Sequence, residues 1–335
     1  MKLTSSHWGT YNVEVINGKI KRILPFSEDL NPSDIAQGII DTIDDNLRIR
    51  SPMIRKNWLK YGTGKKSSLR GKDDFIEVSW DYAYKLVSRE LKNTIKKYGN
   101  SAIYAGSYGW ASAGRFHHAL SQIHRFMNCI GGYTSSVDTY SFAAAEVIVP
   151  HVLGSFRDYI YSQTSWESII KDTKLFVSFG GIPIKNSQIG EGGTGKHIQK
   201  TSMLLAKKAG IEFINISPSD DDVIKELESE WLPILPNTDT ALILALCYVL
   251  LENNLYDKEF INNYTVGSEK FFSYLIGKTD GIKKNAYWAS KICKISEDKI
   301  VNLAKKMISN KTMISLSWSL TRQQFGEQPY WAGIC

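Results

Sequence analysis

Two short stretches concentrate side chains capable of chemistry: Ser107-Tyr108-Gly109-Trp110 and Asp138-Thr139-Tyr140-Ser141. A phenol and an indole two residues apart on a loop favour a shared cavity, and each side chain has one hydrogen to donate. Taken singly, Tyr108 and Trp110 read as packing aromatics, and Ser141 reads as a helix N-cap. A third stretch, Gly190-Glu191-Gly192-Gly193-Thr194-Gly195-Lys196-His197, fits the first seven positions of a phosphate-binding G-x-x-x-x-G-K-[ST] loop. His197 stands where that loop needs a magnesium-binding hydroxyl, and Ile182 to Ile189 separate it from the strand it should follow directly. A flexible glycine loop is the preferred reading, with a nucleotidase as the alternative. Cys129, Cys247, Cys293 and Cys335 are too widely separated for a C-x2-C zinc or iron–sulfur ligand set. They read as free thiols in a reducing compartment, Cys129 and Cys247 as small buried hydrophobes.

The elements that must position these residues alternate. Residues 1–50 form a small β cap, with a hairpin where Tyr11–Val15 and Ile20–Leu24 flank Asn17-Gly18. The basic run Arg48 to Arg55 leads through a solvated Gly62 to Gly71 connector. A first long helix follows, with Ser79 as N-cap, Ala83, Leu86, Val87, Leu91 and Ile95 on one face, and Gly99 as its stop. A strand is expected at Ala102–Ala105. The next helix carries Phe116, Leu120, Ile123, Met127 and Ile130 and ends at Gly131-Gly132. Leu175–Phe179, Glu212–Ile216 and Met313–Ser317 read as buried parallel strands. Helices at Thr201–Ala209, Thr240–Asn253 and Glu297–Ser309 lie between them. This order predicts an α/β fold with a doubly wound, mostly parallel sheet, whose ligands sit beyond the carboxyl ends of the strands. Tyr264 to Lys284 reads as helix ends and surface loops.

Composition limits the function classes. With 335 residues, 43% hydrophobic and 22% charged, the chain has ordinary globular composition. Its net charge of +7 is carried by scattered lysines rather than a clustered basic face, which argues against nucleic acid as a partner. The longest apolar run, Ala241 to Leu251, is too short to span a bilayer, and the first residues show neither a secretory nor a twin-arginine pattern. The expectation is a cytoplasmic protein with no membrane anchor.

After each expected strand comes a loop of distinct character. Gly180-Gly181-Ile182-Pro183-Ile184-Lys185-Asn186-Ser187 follows the first of the three parallel strands, and Ser217-Pro218 the second. Pro236-Asn237-Thr238-Asp239-Thr240 follows Leu235, and Trp318-Ser319-Leu320-Thr321-Arg322-Gln323-Gln324-Phe325-Gly326-Glu327-Gln328 the last strand. With Ser6-His7-Trp8-Gly9 and Arg50-Ser51-Pro52-Met53-Ile54-Arg55, these stretches run the length of the chain. In them it closely resembles the N-terminal half of the dimethyl sulfoxide reductase family of molybdopterin oxidoreductases, nearest to the biotin sulfoxide and trimethylamine N-oxide reductases.

The resemblance implies a bis(molybdopterin guanine dinucleotide) molybdenum cofactor and no iron–sulfur cluster. It gives Ser141 the role of metal ligand, a hard alkoxide suited to high-valent molybdenum. Tyr108 and Trp110 become donors to an oxygen that gains negative charge in a dry pocket. Cofactor contacts are expected from Trp110, Tyr140, Ser141, Lys185, Asn186, Ser187, Ser217, Pro218, Asn237, Asp239, Trp318, Ser319 and Arg322. Asp239 suits a guanine N1–H and N2–H2 edge, because one carboxylate accepts two parallel hydrogen bonds; its alternative is an N-cap. Lys185 is placed against a pterin, or otherwise on the open surface. Where many relatives carry Asp-Pro-x-Arg, this chain has Ser217-Pro218-Ser219-Asp220, so a pyrophosphate contact by that arginine does not carry over.

The implied reaction is reduction of a sulfoxide or N-oxide by oxygen-atom transfer, with two electrons and two protons from an external donor releasing water. Biotin sulfoxide or methionine sulfoxide is preferred, partly because Tyr108 leans toward sulfoxides. Trimethylamine N-oxide and dimethyl sulfoxide are the alternatives. The relatives' C-terminal half, with its β-barrel, is missing after Trp331-Ala332-Gly333-Ile334-Cys335. Truncation, a split gene or a frameshift is expected, leaving residues 51–335 as a shortened α/β region. A separate C-terminal half as partner, and a non-catalytic cofactor-binding remnant, both follow from that expectation.

Overall fold

A computed structural model describes residues 2–43, 45–46, 48–64, 70–107, 118–190 and 192–335, which divide into two compact units. The first comprises residues 1–137 and 188–197. Three antiparallel strands, β1 (Lys2–Ser6), β2 (Gly9–Ile16) and β3 (Lys19–Pro25), open it. The turn between β2 and β3 is set by Asn17 and Gly18, with φ of 52° and 75°. Two successive positive φ values are what a type I′ hairpin needs. Tyr11, Ile23 and Ala36 bury together as a small core beneath this sheet. A second antiparallel pair, β4 (Met53–Arg55) and β5 (Phe75–Glu77), follows.

The helix Trp80–Tyr98 begins and ends where its capping residues demand. Ser79 Oγ accepts from the Tyr82 amide, and Gly99, at φ 80°, donates its amide to the Ile95 carbonyl. The expected strand at Ala102–Ala105 is corrected to a single parallel bridge, Tyr104 to Thr134. A neighbouring 3-10 turn at Asn100–Ala102 takes its first residue. The next helix runs Ala119–Cys129 and leaves Cys129 exposed rather than buried.

The second unit, residues 138–187 and 198–335, holds the parallel sheet. Its strands are β6 (Leu175–Phe179), β7 (Glu212–Ser217), β8 (Glu230–Pro233) and β9 (Thr312–Leu316), in the order β8-β7-β6-β9. Leu175, Val177, Phe179, Ile214, Ile216 and Leu232 face one core. They pack there with residues of the helices Ala143–Leu153, Asp239–Glu252, Ala286–Cys293, Glu297–Ile308 and Glu327–Ile334. Phe176 and Phe213 face the other, with Ile169, Met203, Ala206 and Ile211. Alternate residues of one strand thus feed two cores, which is the doubly wound arrangement.

β8 has no counterpart among the expected strands: it is four residues long, ends in proline and carries a glutamate, as an edge strand can. The expected surface loops at Tyr264–Lys284 are corrected too, since Lys258–Tyr264 and Ser268–Leu275 are helical. Among the described residues no helix is long and apolar enough to cross a membrane.

Candidate cofactor site

The chain leaves β6 for β7 and β8 on one side and returns to β9 on the other, so the strand order reverses between the parallel neighbours β6 and β9. Beyond the carboxyl ends of such a pair lies the crevice where doubly wound sheets hold ligands. Gly180 and Gly181 sit at this point, with φ of 80° and 72°. A Cβ on Gly180 would lie 2.8 Å from Ser317 Cβ and 2.9 Å from Ser319 Oγ. A Cβ on Gly181 would meet Asp222, whose backbone oxygen would be 2.7 Å away. Glycine is therefore required for the loops after β6, β7 and β9 to converge. Three backbone bonds lock them: Gly180 N to Ile216 O at 2.8 Å, Ile182 N to Asp222 O at 2.8 Å, and Ser317 N to Phe179 O at 2.9 Å.

Ser141 lies in the turn before the helix Ala143–Leu153, preceded by Asp138 at φ 62°. The structure corrects its reading as an N-cap: Phe142 flanks the helix and no side chain caps it. Thr139 Oγ1 accepts the Ser141 amide at 3.3 Å. The Ser141 carbonyl accepts Arg322 Nε–H at 3.1 Å and lies 3.2 Å from Thr321 Oγ1. The Phe142 and Trp318 rings are 4.2 Å apart. Of the residues expected on sequence, Ser141, Trp318 and Arg322 are thus brought together, and Ser319 joins them through Ser317, its Oγ donating at 2.9 Å. Tyr140, at 95% relative exposure, points away from the protein. Tyr108 and Trp110 lie outside the described residues.

The other expected contacts are distributed over the remaining strand ends. Lys185 and Asn186 are exposed on the short helix Ile184–Ser187, where Ser187 Oγ donates to the Ile184 carbonyl at 2.8 Å. Ser217 ends β7 fully buried, its hydroxyl bonded to the Asp222 carboxylate and accepting the Ser219 amide at 3.2 Å. Pro218 beside it is exposed. Asn237 is exposed with φ 67° in the turn that leads into the helix Asp239–Glu252.

Asp239 is the first residue of that helix, and the N-cap is Thr238, so the alternative reading of Asp239 as the cap is also corrected. Its side chain is only 4% exposed and Oδ1 has no hydrogen-bond partner among the described residues. Burial pushes its carboxyl up to about 6, against a smaller opposing pull from its own amide. A buried carboxylate oxygen without a donor is costly, and a ligand that brings donors relieves the cost.

Sequence reasoning missed three polar groups in this unit. Asn215, fully buried on β7, donates Nδ2–H to the Ser219 carbonyl at 3.3 Å while its Oδ1 has no partner among the described residues. Glu146 likewise has an unpartnered buried Oε2; burial first, then Asp138, raises its carboxyl above the ordinary range. Thr321 holds Ser141 from 180 residues away. Unusual burial marks the first two, and no sequence pattern reveals that.

The glycine-rich stretch is a stitch in the first unit rather than a phosphate loop. Gly190 N donates to His7 O at 2.9 Å, Thr194 N to Ser6 O at 3.1 Å, and Thr10 Oγ1 to Thr194 O at 3.0 Å. His197 is buried, with Nδ1 2.7 Å from Asp29 Oδ2 and Nε2 3.1 Å from Gln188 O, and Lys196 pairs with Glu28 at 3.6 Å. The Gly190, Thr194 and His197 amides and the Lys196 ammonium are engaged by protein, which weighs against the nucleotidase.

Comparison with known proteins decides the family. A model described as molybdopterin oxidoreductase matches residues 48–334, and one for the molybdopterin oxidoreductase N-terminal domain matches residues 4–44. The chain belongs to the molybdopterin oxidoreductase family.

Among relatives of this molybdopterin oxidoreductase chain, it is 37% identical to a dimethyl sulfoxide/trimethylamine N-oxide reductase of Rhodobacter capsulatus, over 98% of the chain and 40% of the relative. It is 39% identical to a trimethylamine-N-oxide reductase of Pasteurella multocida, over 99% and 41%. It is 38% identical to a biotin sulfoxide reductase of Cereibacter sphaeroides, over 92% and 42%. The chain therefore spans about 40% of the length of these relatives. An acetylene hydratase from Pelobacter acetylenicus shares the fold with a TM-score of 0.62 at 21% identity, over 99% of this chain and 43% of that one.

The residues present suit the cofactor that the family's name carries. The orphaned Asp239 oxygen fits a ligand that brings an N–H donor, and Gly180 and Gly181 let the loops after β6, β7 and β9 close together. Among the described residues no group of three His, Cys, Asp or Glu could hold a metal ion.

Proposed function

We propose that this chain forms the cofactor-holding part of a molybdenum oxidoreductase that reduces sulfoxides or N-oxides to sulfides or amines. The observation that carries the reading is the match along nearly the whole chain to reductases named for these substrates, combined with the loop after β9 that holds the Ser141 carbonyl through Thr321 and Arg322. The cofactor is bis(molybdopterin guanine dinucleotide), held by Asp239 at a guanine edge and by Lys185, Ser217, Trp318, Ser319 and Arg322 along the remaining strand ends. It supplies two-electron redox chemistry at molybdenum.

The protein's own contributions are positional. Ser141 offers the ligand oxygen from a turn fixed at both backbone polar groups. Tyr108 and Trp110 donate to the substrate oxygen as it gains charge. Electrons come from an external donor, and a second polypeptide is a candidate for the portion of the relatives that this chain does not match.

Biotin sulfoxide and methionine sulfoxide stay the preferred substrates on the strength of Tyr108, while the relatives' names support the N-oxide and dimethyl sulfoxide equally. The test is a side-by-side assay of these four compounds with the chain and, where one exists, its complementary half. Sulfoxide turnover that Ser141→Ala abolishes is expected. Turnover unchanged in Ser141→Ala sinks the ligand assignment, and exclusive N-oxide turnover reverses the substrate order.

A further inference from the structure

The Ser141 backbone is held at both its polar atoms by side chains. Its amide donates to Thr139 Oγ1 at 3.3 Å, and its carbonyl accepts Arg322 Nε–H at 3.1 Å with Thr321 Oγ1 at 3.2 Å. The helix that follows does not do this work, because it starts at Ala143 and has no side-chain cap. Asp138, at φ 62°, turns the chain just before this segment, and the Phe142–Trp318 contact at 4.2 Å ties its far side to the loop after β9. The orientation of Ser141 is therefore imposed largely by residues about 180 positions later in sequence.

We propose that Thr321 and Arg322 are positioning residues for the Ser141 side chain: by gripping its peptide carbonyl they fix the direction in which Cβ and Oγ leave the backbone. The inference rests on the reading of Ser141 as a metal ligand. The two grips differ. Arg322 commits its Nε–H to the Ser141 carbonyl from an exposed side chain. Thr321 is buried, and its single hydroxyl proton is divided between the Ser141 carbonyl and the closer Trp318 carbonyl at 2.8 Å. That division couples the ligand turn to the 3-10 turn Trp318–Thr321, which carries two expected cofactor contacts, Trp318 and Ser319. Groups behind a metal ligand set its direction, and removing one commonly costs about tenfold or more in metal affinity.

The test uses the purified full-length chain with Thr321→Val, Thr321→Ser, Arg322→Met and Ser141→Ala. Molybdenum content and the molybdenum K-edge oxygen shell are read on cofactor-loaded protein. Hydrogen exchange across residues 138–142 is read on metal-free protein, where a cofactor contact contributes nothing.

Thr321→Val and Arg322→Met should each speed exchange in that segment without moving the thermal midpoint. Thr321→Val should weaken molybdenum retention about tenfold and diminish the same oxygen scatterer that Ser141→Ala removes. Thr321→Ser should restore both. Wild-type exchange and a wild-type oxygen shell in Thr321→Val and Arg322→Met, with that shell lost in Ser141→Ala, overturn the positioning role alone. A wild-type shell in Ser141→Ala overturns the ligand reading, and the inference with it. Should Thr321→Val fail to fold, the exposed Arg322 variant decides by the same measurements.

Discussion

Asp239 is buried at a cost in stability, a cost that the guanine edge proposed for it relieves. Its carboxyl is raised to about 6 by burial, from an ordinary 3.8, so between these values the folded chain keeps a proton that the unfolded chain has lost. Stability contributed by this group is complete below the unfolded value, falls as pH rises toward 6, and then levels off. Asp239→Asn removes the dependence. The variant should unfold later than wild type at neutral pH, by an amount on the order of 3 kcal/mol at most, with little difference near pH 3. Urea unfolding at the two pH values checks this, and guanine nucleotide retention should fall in the same variant. Residue types alone read Ser141 as a helix cap and left Asp239 open to the same reading; the family resemblance pointed to both as cofactor contacts. Neither could point to Thr321, whose part depends on a contact across the fold.

At the level of elements, the strands buried on both sides were legible because they are short, largely apolar runs, which a single Ser178 or Asn215 does not break. Leu175–Phe179 is the clearest case, each of its residues being buried. Of the two edge strands, β9 was legible as a strand, although its residues are half-buried or exposed rather than buried as expected; β8 and the bridging piece were not legible. Among the described residues β8 pairs only with β7 and takes its place from that partner, and Ala102–Ala105 has strand-like residues but only one partner, Thr134. Propensity without pairing does not make a strand.

The glycines after β6 test the convergence of the loops. Gly181→Ala places a methyl against the Asp222 backbone at a positive φ. It should cost about 2–4 kcal/mol, from left-handed strain and overpacking together. Gly281→Ala has a similar φ of +74° and open space, so strain alone should cost about 1 kcal/mol. Denaturant midpoints for the pair check the difference. Equal losses mean that the β6 and β7 ends do not press together.

For the whole molecule, the two units do different work. The first is stitched by its own second segment, with His197 and Asp29 buried in contact and Thr194 bonded to both ends of the β1–β2 turn. The second holds every described residue expected to touch the cofactor. The central claim is that these strand ends bind a molybdenum atom together with guanine-bearing pterins. It is tested most directly by measuring molybdenum and acid-released guanosine monophosphate in the chain purified from a host that makes the dinucleotide cofactor. Molybdenum accompanied by twice as much guanosine monophosphate, with both lowered in Asp239→Asn, is the predicted result. Protein purified folded from that host with neither molybdenum nor guanine nucleotide would contradict it.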